Sequence, residues 1–134
     1  MAADEGPLEH ILTDRAPAPR APYSQATVAS GGLIFVSGQG PFTPAGELLQ
    51  GSFEVQARQT FENVCTLVTA AGGSPATIAR VGVYLRDMSD FAEMNRIYEE
   101  YFPDPRPART CIQSDLPRFP IEVDAFAVVT RDRS

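Results

Sequence analysis

The chain of 134 residues has no tryptophan, a single histidine and only two cysteines, and each scarcity closes off a class of function. The one histidine, His10, lies in the N-terminal segment that reads as an arm outside the domain, so neither a Ser-His-Asp triad nor a histidine-based zinc site is expected. Cys65 and Cys111 stand far apart without a Cys-x-x-Cys spacing, and no export signal precedes them, so both are expected as reduced thiols of a cytoplasmic protein. No apolar run approaches the roughly 20 residues that span a bilayer. The longest, Val123 to Val129, is interrupted by Asp124 and reads as a strand. Positive charge is scarce as well. A formal net charge of -6 argues against a nucleic-acid partner, because such binding draws its affinity from Lys and Arg on phosphate.

What is present describes one globular domain: 43% hydrophobic and 21% charged residues, enough chain for a core and too little for two. Met1 to Pro22 is acidic, then rich in Ala and Pro, with no apolar stretch of the signal-peptide kind. It is expected to be a flexible N-terminal arm over residues 1–20, with the domain occupying 21–134.

The expected order of elements within the domain is ββαβαββ. Strands Ala26 to Ser30 and Leu33 to Ser37 flank Gly31-Gly32, a hairpin signal. A long loop, Gly38 to Gly51, leads to a helix that Ser52 caps and Gly72-Gly73 ends; Ala57, Phe61, Val64, Cys65, Val68 and Ala71 recur along it at helical spacing. Ala79 to Arg86 alternates as a strand. Ser89 or Asp90 caps a second helix, with Asp90 and Glu93 spaced as a capping box and an apolar stripe of Phe91, Met94, Tyr98, Tyr101 and Phe102. Strands Ala108 to Ser114 and Ile121 to Thr130 close the chain. The last has apolar residues on both faces: Ile121, Val123, Ala125, Ala127 and Val129 on one, Phe126 and Val128 on the other. Two helices cover one side of a small sheet, so a second copy of the chain is expected on the other.

Two stretches carry the chemistry. Pro107-Ala108-Arg109-Thr110-Cys111 and Ile121-Glu122-Val123-Asp124 each set a charge inside a strand-like apolar run. Burying an ion costs several kcal/mol unless it is paired or employed. An arginine and a glutamate at neighbouring strand ends would hold a carboxylate and activate a water.

Read together, Pro22-Tyr23-Ser24-Gln25-Ala26, Ser37-Gly38-Gln39, Gln56-Ala57-Arg58-Gln59, Val83-Tyr84-Leu85 with Asp87-Met88, Phe91-Ala92-Glu93-Met94-Asn95 and Pro107-Ala108-Arg109 resemble the Rid (YjgF-type, RidA-like) family of enamine/imine deaminases. The resemblance runs from about Ala21 to Val129. It implies an α+β, chorismate-mutase-like fold whose mixed sheet is backed by two helices. It also implies a homotrimer around a central barrel, with cofactor-free and metal-free active sites in the clefts between subunits. The implied reaction hydrolyses small 2-imino acids, such as 2-iminobutanoate or 2-iminopropanoate, to 2-keto acids and ammonia.

Arg109 matches the family arginine that grips the substrate carboxylate, a task suited to the guanidinium fork. Glu122 matches the acid that activates water, Tyr23 a tyrosine flanking the site, and Cys111 a cysteine whose backbone lines it. Ser37 and Gly38 are expected to lend hydroxyl and backbone groups, and Asn95 to lie near the subunit contact. Each has a plainer alternative: a surface or ion-paired arginine, a glutamate bound to Arg58 or Arg86, a tyrosine packed on a neighbouring subunit, turn chemistry at 37–38, a helix-surface asparagine. A thiol nucleophile at Cys111 is not expected without a histidine to activate it, and Cys65 reads as helix core. The chain departs from the family pattern in Ala21, in a short turn holding Pro117 and Pro120, and in Gly40, expected to widen the pocket. Alternative functions are a deaminase dedicated to one metabolic intermediate and a non-catalytic, trimeric carboxylate-binding module; a ribonuclease fits the charge poorly.

Overall fold

The computed structural model describes residues 7–130. Six strands, β1 (Leu8–Ile11), β2 (Ala26–Ala29), β3 (Leu33–Gln39), β4 (Ile78–Leu85), β5 (Ala108–Gln113) and β6 (Ile121–Val128), and two helices, α1 (Phe53–Ala70) and α2 (Phe91–Tyr101), make an α+β fold. The sheet order is β1-β2-β3-β6-β4-β5. Only β4 and β5 run parallel, joined by the crossover through α2; every other pair is antiparallel.

The β2–β3 hairpin turns through Gly31 and Gly32, at φ of +95° and +92°, a region closed to most L-residues. Ser52 accepts the Val55 amide at the start of α1, at 3.3 Å. At its end the amides of Gly72 and Gly73 return to the carbonyls of Thr69 and Val68, at 3.1 and 3.0 Å, a Schellman closure. Along β6, Ile121, Val123, Ala125 and Ala127 are fully buried under α1, whereas Phe126 and Val128 are 39% and 44% exposed on the opposite face. Leu33 and Phe35 of β3 lie across from them, and the Phe35 and Phe126 rings meet edge to face at 5.2 Å.

Two expectations are corrected. From Pro7 onward the segment taken for an arm is part of the fold: β1 pairs with β2, and Ala16 is buried in the core. The clamp is Gln25, itself buried. Its Oε1 accepts from the Thr13 amide at 2.8 Å, and its Nε2 lies 3.0, 3.3 and 2.9 Å from the carbonyls of Thr13, Ala16 and Pro17. Residues 1–6 of the expected arm, and 131–134, lie outside the described residues. The order is therefore βββαβαββ.

The capping box on α2 does not form either. The chain enters through a 3-10 turn, Met88–Asp90, started by the Asp87 carboxylate on the Ser89 amide at 2.9 Å. That turn leaves Asp90 at φ -85° and ψ 0°, not the extended backbone a side-chain cap requires. In the stripe of α2, Ile97 is buried and Phe91 is not.

Candidate active site

The predicted residues fall into two groups on opposite sides of the sheet. Glu122 stands across from Tyr84 on the face away from the helices. Arg109 stands across from Val81, a core residue, and so points to the helix side. β4 separates their strands, so the expected adjacency of Arg109 and Glu122 at neighbouring strand ends is not met within one chain.

Glu122, Tyr23, Ser37 and Gly38 share a hollow of about 490 Å³, within the range of small-molecule sites. A β-bulge builds one wall. Between the pairs Val36–Ala125 and Gln39–Val123 the strand β3 has one residue more than β6, which places Ser37 and Gly38 at the break. The absent β-carbon of Gly38 makes room for the Glu122 carboxylate, which any larger residue there would have to displace. The Ser37 hydroxyl donates to the Ser24 carbonyl at 2.6 Å, which leaves its oxygen able only to accept. Burial raises the Glu122 carboxyl above the ordinary carboxylate range, and Asp124 nearby adds to the shift. Asp124 accepts from the Tyr84 hydroxyl at 3.1 Å. The alternative partners of Glu122 are engaged elsewhere: Arg58 pairs with Glu54 and Glu100, and Arg86 donates to the Leu116 carbonyl.

Four large side chains that the sequence did not single out also line this hollow: Arg20, Phe42, Arg118 and Phe119. The space above Gly40 is filled, contrary to the expectation of a wider pocket. A β-carbon at position 40 would stand 3.0 Å from Phe119 Cζ and 3.1 Å from Phe42 Cε2. The two rings meet edge to face at 5.5 Å. Buried Asn63 of α1 pins this wall by donating to the carbonyls of Gly40 and Phe42, at 3.1 and 2.8 Å. Sequence reading missed these residues, although the Gly40 departure and the Pro117–Pro120 turn marked the place.

Arg109 and Asn95 line a second, shallower hollow of about 310 Å³ with Tyr98 and Arg106. Arg109 Nη1 donates to Asn95 Oδ1 at 2.8 Å, and its guanidinium lies 4.7 Å from the Tyr98 ring centroid. Asn95 thus orients the arginine, and Tyr98 supports its plane. Among the described residues no carboxylate forms an ion pair with Arg109. Burial raises the Cys111 thiol and pushes Cys65 up to about 12, the reverse of what a thiolate nucleophile needs.

Similarity to known proteins covers nearly the whole domain. The family model described as Endoribonuclease L-PSP matches residues 13–129. A RutC family protein of Pyrococcus horikoshii is 44% identical over 122 residues, 89% of this chain and 96% of that protein. The crystal structure of RidA from an Antarctic Psychrobacter superposes with a TM-score of 0.84 at 38% identity, over 90% of this chain and 99% of that one. Escherichia coli TdcF, crystallised with bound serine, superposes at 0.83 and 38% identity, over 91% and 99% of the two chains.

Proposed function

The chain belongs to the endoribonuclease L-PSP family, which is the Rid (YjgF-type) family, and on that premise we propose that it hydrolyses 2-imino acids and their enamine tautomers to 2-keto acids. The observation that carries this reading is a half-buried carboxylate of raised proton affinity, seated against the backbone of Gly38 in a hollow of small-molecule size. Glu122 takes a proton from water as the oxygen bonds to C2 of the iminium, giving a carbinolamine. The proton passes from Glu122 to nitrogen, the C–N bond breaks to expel ammonia, and Glu122 takes the hydroxyl proton as the ketone forms and hands it to the ammonia, which leaves as ammonium. Water is the only co-reactant. The chain has no lysine, so the route is direct water attack, without a lysine Schiff base.

The substrate carboxylate needs a cation, and Arg109 meets that need from a neighbouring copy. In this reading the copies form a chorismate-mutase-like homotrimer, their open sheet faces turned to a central barrel. Each Arg109, held by Asn95, reaches the Glu122 hollow of the next subunit, with Tyr23 and the Cys111 backbone flanking the cleft. The apolar open face and the edge position of β5 support this arrangement. So does the serine bound to TdcF, a small amino acid of the kind whose imine would be the substrate.

The test generates an imine with an amino-acid oxidase and times keto-acid release with and without the protein. Acceleration is expected. Arg109→Ala should reduce it about 10²-fold, chiefly through KM, and Glu122→Gln by about 10²–10⁴ through kcat. No acceleration with any amino acid leaves the carboxylate-binding module as the better account; acceleration confined to one imine favours a dedicated deaminase.

A further inference from the structure

We infer that the subsite for the substrate side chain selects a negative charge, so that preferred substrates are 2-imino acids with a second, distal carboxylate; this rests on the deaminase reading above. After Glu122 is assigned to water and Arg109 to the 2-carboxylate, two cations of the larger hollow remain unused, Arg20 and Arg118. Among the described residues neither forms an ion pair. They outnumber the single carboxylate of the hollow in a chain whose net charge is -6, so the hollow stands out as a positive place on an acidic molecule.

Both guanidiniums are held by contacts with the loop that walls the hollow. Arg20 Nη2 donates to the Gly46 carbonyl at 2.8 Å and occupies the place where a β-carbon of residue 46 would be; Gly46 has φ +91°. Arg118 lies over the Phe42 ring at 5.2 Å, Phe42 is braced by Phe119, and Phe119 takes the space left by Gly40. Each arginine keeps N–H donors beyond the contact that positions it. A carboxylate entering the hollow would meet donors held by its wall, beside the rings of Phe42 and Phe119.

The experiment uses the full chain and oxidase-generated imines of aspartate and glutamate against those of alanine and 2-aminobutyrate. The wild-type protein should favour the acidic imines in kcat/KM. Arg20→Met and Arg118→Met, which keep the apolar stems, should each lower the acidic-to-neutral ratio about fivefold, the size of one exposed ion pair. R118E should invert the preference toward imines with cationic side chains. As a readout independent of turnover, 2-ketoglutarate should bind more tightly than 2-ketobutanoate by NMR titration, and lose that advantage in the arginine variants. A ratio near one, unmoved by these substitutions, overturns the selectivity and leaves the deaminase reading standing. Absence of acceleration for every imine overturns both.

Discussion

Glu122 shows how one side chain acquires reactivity from what surrounds it. The carboxylate is half-buried and stands beside Asp124, and both conditions favour its protonated form, burial the more strongly. A folded carboxyl that holds its proton more tightly than the unfolded one makes ionisation oppose folding. Stability is then lost as pH rises from the ordinary value of 4.5 through the higher native one. Glu122→Gln should therefore raise the urea midpoint at about pH 7 and leave it unchanged below about pH 4. Chemical denaturation across that range checks the sign, in an unassembled subunit where no neighbouring Arg109 compensates. A charge interrupting the strand pattern made Glu122 and Arg109 legible in the sequence. The roles of Arg20 and Arg118 were not, because an exposed arginine looks alike wherever it points.

At the level of elements, the segment before β2 separates composition from structure. Ala and Pro richness at residues 16–22 suggested an arm, yet one buried amide side chain ties residues 13–17 to the sheet. Polar groups removed from water need partners, and Gln25 supplies several at once. Gln25→Leu should cost about 2–3 kcal/mol by urea unfolding, since it strands backbone groups of Thr13, Ala16 and Pro17. Tryptic cleavage after Arg15 and Arg20 should speed up in the same variant. By contrast α1, the β2–β3 hairpin and the β6 alternation were readable from sequence, because cap, glycine pair and periodicity act within a few residues. The second helix was found by its stripe, but its entry was misjudged: Asp87, not Asp90, makes the cap contact, and it does so for a 3-10 turn.

For the whole molecule, the consequential feature is a sheet with only one face covered. Leu33, Phe126 and Val128 leave an apolar patch exposed on the other face, with Ile112 exposed on the same face at the edge strand, and exposed apolar patches mark interaction surfaces. Light scattering should give a mass three times that of the 14.5 kDa chain. F126E, which places a charge opposite Phe35, should yield a folded single subunit with unchanged far-ultraviolet circular dichroism. Imine hydrolysis should fall at least about 10²-fold in that variant, because Glu122 then lacks the arginine of the next copy.

The amino-acid sequence by itself determined the number of helices, five of the six strands, the two-faced last strand, the family and the two charged residues to which we assign the proposed chemistry. These follow from local periodicity, capping residues and the cost of placing an ion in an apolar run. Only the tertiary structure decided that β4 lies between β5 and β6, that Arg109 and Glu122 look to opposite sides of the sheet, and that Gln25 holds the first strand in place. It also decided which arginines reach the hollow. Strand order and side-chain-to-backbone bonds between distant segments are settled by packing of the whole chain, and no short window of residues contains that information.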